Sequence, residues 1–217
     1  IFEIRKRKMT GEQIDNYAFN YVTRWARKII KMTGSTVKIE GLENVPEGPC
    51  LFVSNHQEYF DILVMIGYIP KPKGFIAKKE LEKVPAVSYW MKQIHCVFID
   101  RDNQRESLKA ILEGIDNLKS GYSMHIAPEG TRSKGPTLGE FKRGSLKLAV
   151  KTEVPVIPVT LNNVYKITEG KGFLDLKAVE MEMTISSPID TKNLTREEQY
   201  DLSERVREVI FSNLKTT

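Results

Sequence analysis

At 217 residues with 41% apolar content, the chain suits one well-buried core and reads most economically as a single domain. The net charge of +5, with a basic run at residues 5–8, comes without any recognisable nucleic-acid module, so an anionic membrane surface is the expected partner and nucleic acid is not. Cys50 and Cys96 alone give neither a disulfide framework nor zinc spacing, which points to a reducing compartment, no metal and no cofactor.

Ile14, Ala18, Tyr21, Val22, Trp25, Ile29 and Met32 recur at helical spacing, and Gly34 follows as a stop signal. Arg24, Arg27, Lys28 and Lys31 flank this aromatic-bearing face, so residues 1–34 read as an amphipathic helical segment that suits either core packing or a bilayer interface. Residues 37–39 and 51–54 read as strands across a turn-rich stretch. A helix is expected from near His56 to Ile66, with Ser54 and Asn55 as caps. Residues 74–77 form the next strand, 85–93 a helix and 96–99 a strand. Leu108, Ile111, Leu112, Ile115 and Leu118 make a helical stripe ended by Gly121. Residues 123–127 then read as a strand, 145–150 as a helix and 156–161 as a strand. Alternation at 179–185 suggests an edge strand, and Leu202, Val206, Val209, Ile210 and Leu214 a last helix. Such alternation predicts an α/β fold: a single layered domain with a mixed, largely parallel sheet flanked by helices, plus the N-terminal amphipathic helix. The longest clearly apolar run, 62–70, falls short of the ~20 residues of a membrane span. The sequence opens at Ile1, not Met, which leaves an upstream stretch open, a membrane helix included.

Two stretches carry chemistry. Asn55-His56-Gln57-Glu58-Tyr59-Phe60-Asp61 offers a base with a carboxylate to orient it, and Ala127-Pro128-Glu129-Gly130-Thr131-Arg132-Ser133 offers a tight glycine turn bearing a cation. Five helical positions rotate about 140° away from a common face. His56 is therefore expected at or before the helix start, where it can turn back to Asp61 and have its tautomer fixed. Arg101 and Arg132 both follow strands, at the carboxyl ends where open α/β sheets place ligands, and their forks match phosphate oxygens. Gly130 lets the backbone approach closely, Thr131 offers a further hydrogen bond and Lys78 is an additional candidate phosphate ligand. Glu129 is expected to order the loop or orient an arginine. Lys142 and Arg143 are read as either phosphate contacts or solvated cations, and His95 and His125 as structural.

The chain resembles the lysophosphatidate acyltransferase family (1-acyl-sn-glycerol-3-phosphate acyltransferases, within the glycerolipid acyltransferases). The resemblance covers roughly residues 37–187 in four blocks: His56 to Asp61, Phe98-Ile99-Asp100-Arg101, Glu129 to Arg132, and Val154-Pro155-Val156-Ile157-Pro158-Val159. Ala77-Lys78-Lys79-Glu80-Leu81 resembles the basic patch between the first two blocks. Ala127 stands where an aromatic is common and Ser88 where a glycine often lies, departures that bear on acyl-pocket shape.

The resemblance implies direct transfer of a fatty acyl group from acyl-CoA or acyl-carrier protein to the free hydroxyl of lysophosphatidic acid, giving phosphatidic acid. His56 and Asp61 would be catalytic, and Lys78, Arg101, Glu129, Gly130, Thr131 and Arg132 would bind substrate. Residues 35–217 would form the acyltransferase domain, at the cytoplasmic face of a membrane. The alternatives are acylation of glycerol 3-phosphate or another lysophospholipid, a thioesterase, and a non-catalytic anionic-lipid-binding module.

Overall fold

The structure, a computed structural model, describes residues 2–142, 144–168 and 175–215; Arg143 lies outside them, as do the side chains of Ile4 and Arg5. The strands are β1 (Thr36–Glu40), β2 (Leu51–Ser54), β3 (Lys73–Lys78), β4 (Val97–Ile99), β5 (Ser123–Ile126), β6 (Val156–Asn162) and β7 (Glu180–Ile185). The helices are α1 (Phe2–Lys6), α2 (Gly11–Met32), α3 (Phe60–Tyr68), α4 (Pro85–Gln93), α5 (Gln104–Lys119), α6 (Lys147–Thr152) and α7 (Arg196–Ser212).

Every residue of β2, β5 and β6 is buried, as expected of parallel strands covered on both faces. They form the centre of one mixed sheet ordered β1-β7-β6-β2-β5-β3-β4, in which only the β6–β7 pair is antiparallel. Alternate side chains feed two cores. Phe52, Phe75, Ile157 and Val159 pack with α2, α3 and α4, while Leu51, Val53, Met124 and Val156 pack with α5, α6 and α7.

A reciprocal capping box between Thr10 and Gln13 starts α2. Ala18, Phe19, Val22, Ala26 and Ile30 form its buried stripe. The Thr23 hydroxyl donates to the Ile66 carbonyl at 3.2 Å, and Arg27 Nε donates to the Gly67 carbonyl, tying α2 to the last turn of α3. The broad apolar face expected for this helix is therefore split. Tyr21, Trp25 and Met32 point outward, at 41%, 50% and 76% exposure.

Three expectations are corrected. The first helix after β2 begins at Phe60, not near His56, because the backbone of residues 56–57 is engaged elsewhere. Nor do Ser54 and Asn55 cap it: the Ser54 hydroxyl meets His125 Nε2 at 2.9 Å, and the Asn55 amide pairs with both the N–H and the carbonyl of Leu161 at 2.8 Å. Strand β7 is interior to the sheet, between β6 and β1; its alternating pattern reflects its faces, and faces do not report lateral pairing.

Because β2, β3, β4, β5 and β6 run parallel, their carboxyl ends share one edge. Residues 56–61, 79, 100–101 and 127–132 lie just beyond that edge, and Lys78 ends β3 on it. At the start of β3, Lys73 is 2% exposed; its Nζ donates to the carbonyls of Ile69 (3.1 Å) and Lys71 (3.0 Å) and lies over the rings of Phe19 and Phe52, 4.8 and 5.6 Å from their centroids. Burial away from water nevertheless pushes its pKa down to about 7. Between that value and the ordinary 10.5, the folded state binds fewer protons than the unfolded chain. Lys73 thus makes stability rise with pH across the window, by up to about 1.4 kcal/mol per unit. Urea denaturation from pH 7 to 10 should show this rise in wild type relative to Lys73→Met; parallel curves would refute it.

Candidate active site

The chain leaves β2 at Ser54 and reaches α3 through a loop stitched on both sides. Ser133 and Lys134 donate their N–H groups to the carbonyls of His56 (2.8 Å) and Gln57 (3.1 Å). The Gln57 side-chain oxygen accepts from the Val164 N–H at 3.0 Å. The Glu129 carboxylate takes the His56 N–H on one oxygen at 2.7 Å and the Gly139 N–H on the other at 2.8 Å. Glu129 is 6% exposed, and that burial raises its pKa. Glu129 thus ties the loop after β2 to the segment at Gly139. Its contact with Gly139 was not foreseen.

Held before the helix, His56 turns back so that its Nδ1 meets Asp61 Oδ2 at 2.7 Å. Asp61 stands in the first turn of α3, its side chain 1% exposed, whereas that of His56 is 16% exposed. The same Asp61 oxygen accepts the Glu58 N–H at 2.9 Å. Burial raises the Asp61 pKa, and the His56 hydrogen bond pulls the other way. A carboxylate on Nδ1 favours the tautomer with its proton there, which leaves the lone pair on Nε2.

Behind this pair, His125 is buried and neutral. Burial, then the charges of His56 and Lys73, push its pKa down to about 3. His95 is structural as well, bonded to Asp15 Oδ1 at 2.8 Å and stacked on Tyr122. Neither thiol is poised to react, since burial raises the pKa of both Cys50 and Cys96, the latter to about 12.

Cations gather on the neighbouring turn. Gly130 has φ of +70°, a left-handed conformation that a side chain would strain. A Cβ there would also lie 2.9 Å from Lys142 Nζ, so the lysine lies directly against the turn. Arg101 Nη1 donates to the Gly130 carbonyl, not to Asp100 or Asp102 as a surface pair would. Arg132 donates through Nη1 to Glu58 and lies 3.7 Å over the Tyr59 ring. Thr131 beside it is exposed. The structure thus brings together His56, Asp61, Glu129, Gly130, Arg101 and Arg132. Lys78 ends β3 at the same edge, but its ammonium is exposed and bonded to Glu80 at 3.0 Å. Glu58 went unnoticed in the sequence. Its only signal there was a carboxylate placed between a histidine and an aspartate.

Residues 36–162 match the family described as Acyltransferase. The 1-acyl-sn-glycerol-3-phosphate acyltransferase of Saccharomyces cerevisiae is 31% identical over 85% of this chain and 61% of that protein. The probable 1-acyl-sn-glycerol-3-phosphate acyltransferase of Mycoplasma pneumoniae is 32% identical over 87% of this chain and 74% of its own length. The crystal structure of the 1-acyl-sn-glycerophosphate (LPA) acyltransferase from Thermotoga maritima superposes with a TM-score of 0.85 at 31% identity, covering 97% of this chain and 84% of that one. The chain spans 61%, 41% and 40% of the Saccharomyces cerevisiae, Brassica napus and Arabidopsis thaliana relatives. With the family matched over more than half its length and the fold shared nearly end to end, this chain belongs to the acyltransferase family, among the lysophosphatidate acyltransferases.

Proposed function

We propose that the chain transfers a fatty acyl group from an acyl thioester, on CoA or acyl-carrier protein, to the free hydroxyl of 1-acyl-sn-glycerol 3-phosphate. The observation that carries this reading is the 2.7 Å bond between His56 Nδ1 and the buried Asp61. His56 Nε2 takes the hydroxyl proton as that oxygen attacks the thioester carbonyl. The C–S bond then breaks, and the imidazolium returns the proton to the thiolate, leaving phosphatidic acid and free thiol. Arg101 and Arg132 hold the acceptor phosphate, with Gly130 and Thr131 lining its approach and Lys78 at the rim.

Residues 1–34 serve as a membrane-associated segment in this reading, and 35–217 as the acyltransferase domain, at the cytoplasmic face of an anionic bilayer. The outward face of α2 supports it. Trp25 and Tyr21 stand beside exposed Arg24, Lys28 and Lys31, and Tyr21 stacks on Trp90 of α4 at 4.1 Å. Among the described residues, no helix is long and apolar enough to cross a membrane, so contact of this kind is interfacial.

Acyl transfer from a long-chain acyl-CoA to lysophosphatidic acid in vesicles tests the chemistry. His56→Ala and Asp61→Asn should each lower the rate by about 10²–10⁴-fold in folded protein. Equal rates in wild type and His56→Ala would remove His56 as the base. Glu129→Gln replaces one of two engaged acceptors by an amide nitrogen facing an N–H. It should lose about 1–3 kcal/mol in urea denaturation, with kcat falling alongside. Unchanged stability would show that the bridge does not hold the loop.

A further inference from the structure

General-base chemistry needs His56 and Asp61, and phosphate binding needs an arginine fork. Neither requirement accounts for Glu58, which touches both. Its carboxylate is nearly sealed, the residue being 7% exposed. One oxygen accepts from the Tyr59 N–H at 3.0 Å and from Arg132 Nη1; the other accepts from the Thr168 hydroxyl at 3.3 Å. Its backbone N–H donates at 2.9 Å to the Asp61 oxygen that also takes His56 Nδ1.

Arg132 therefore has two contacts that hold it. Its guanidinium carbon lies 3.7 Å from the Tyr59 ring centroid, and the Glu58 carboxylate accepts from Nη1. A guanidinium carries five N–H donors, and among the described residues Glu58 is the acceptor seen on Arg132, through Nη1, which leaves further donors for a ligand. A two-pronged phosphate contact requires a fork with fixed plane and direction. Thr168 and the Tyr59 N–H in turn keep Glu58 from following the arginine outward.

We propose that Glu58 is a positioning residue that aims Arg132 at the acceptor phosphate, and so sets both acceptor affinity and the preference for a phosphorylated acceptor. This rests on Arg132 being a phosphate ligand, as proposed above. If Glu58 instead competed with the phosphate for Arg132, removing it would tighten acceptor binding, the opposite sign.

The test is steady-state acyl transfer at saturating donor, with lysophosphatidic acid and with monoacylglycerol, the same acceptor without its phosphate. Wild type is compared with Glu58→Ala, Glu58→Gln, Arg132→Ala and the Glu58→Ala/Arg132→Ala double variant. Glu58→Ala should raise the lysophosphatidic acid KM about tenfold while kcat and donor KM stay within about threefold, with Glu58→Gln between. The monoacylglycerol KM should not move, and the double variant should be no weaker than Arg132→Ala. The near-isosteric Glu58→Gln, checked by its melting curve, keeps the test valid if the alanine variant unfolds. An unchanged or lowered lysophosphatidic acid KM in folded Glu58→Gln overturns the proposal, as do equal losses on both acceptors. Arg132→Ala raising KM while the Glu58 variants do not would sink the positioning role alone. An Arg132→Ala KM equal to wild type would remove the phosphate reading itself, and the proposal with it.

Discussion

The site depends on a short splice of backbone to backbone. The loop after β5 donates the N–H groups of Ser133 and Lys134 to the carbonyls of His56 and Gln57 in the loop after β2, and Glu129, a buried carboxylate of that same β5 loop, accepts the His56 N–H. That splice keeps His56 out of the helix it precedes. Had α3 begun at His56, the imidazole and Asp61 would have been turned about 140° apart. The 2.7 Å contact exists because the helix starts four residues later, at Phe60.

Charge follows the same division of labour. Asp61, Glu58 and Glu129 are all buried, and each accepts from protein donors: an imidazole and a backbone N–H on one Asp61 oxygen, an arginine, a hydroxyl and a backbone N–H on Glu58, and two backbone N–H groups on Glu129. Arg101, Arg132 and Lys142 surround a turn whose glycine removes the side chain that would stand in their way. Anions are inside and fixed, while cations sit nearer the surface. Such a gradient suits a negatively charged ligand arriving from solvent or from a lipid surface.

Much of this was legible in the residues. The run Leu51–Ser54 reads as a strand with the boundaries it has, because uninterrupted apolar side chains between turn residues leave little else. Pro85 marks the first turn of α4 for an equally local reason. Long-range pairings were not legible. Asn55 reaches Leu161 across 106 positions and Glu58 reaches Arg132 across 74, and no local pattern distinguishes those polar side chains from solvated ones. How the apolar face of α2 divides between core and surface was not legible for a related reason. Periodicity finds an apolar stripe, but the width that a neighbouring helix covers depends on how closely it packs, here through Ala18 and Ala26.

With Nδ1 committed to Asp61, His56 has a single nitrogen for all its proton traffic. No reactive thiol stands by to store the acyl group, since Cys50 and Cys96 are sealed in the core. On the proposed chemistry, the same imidazole must receive a proton from one substrate and hand it to the other within one residence. Donor and acceptor therefore have to occupy the protein together. The incoming lipid is then also the barrier to hydrolysis, because while it fills the space before Nε2 no water can stand there.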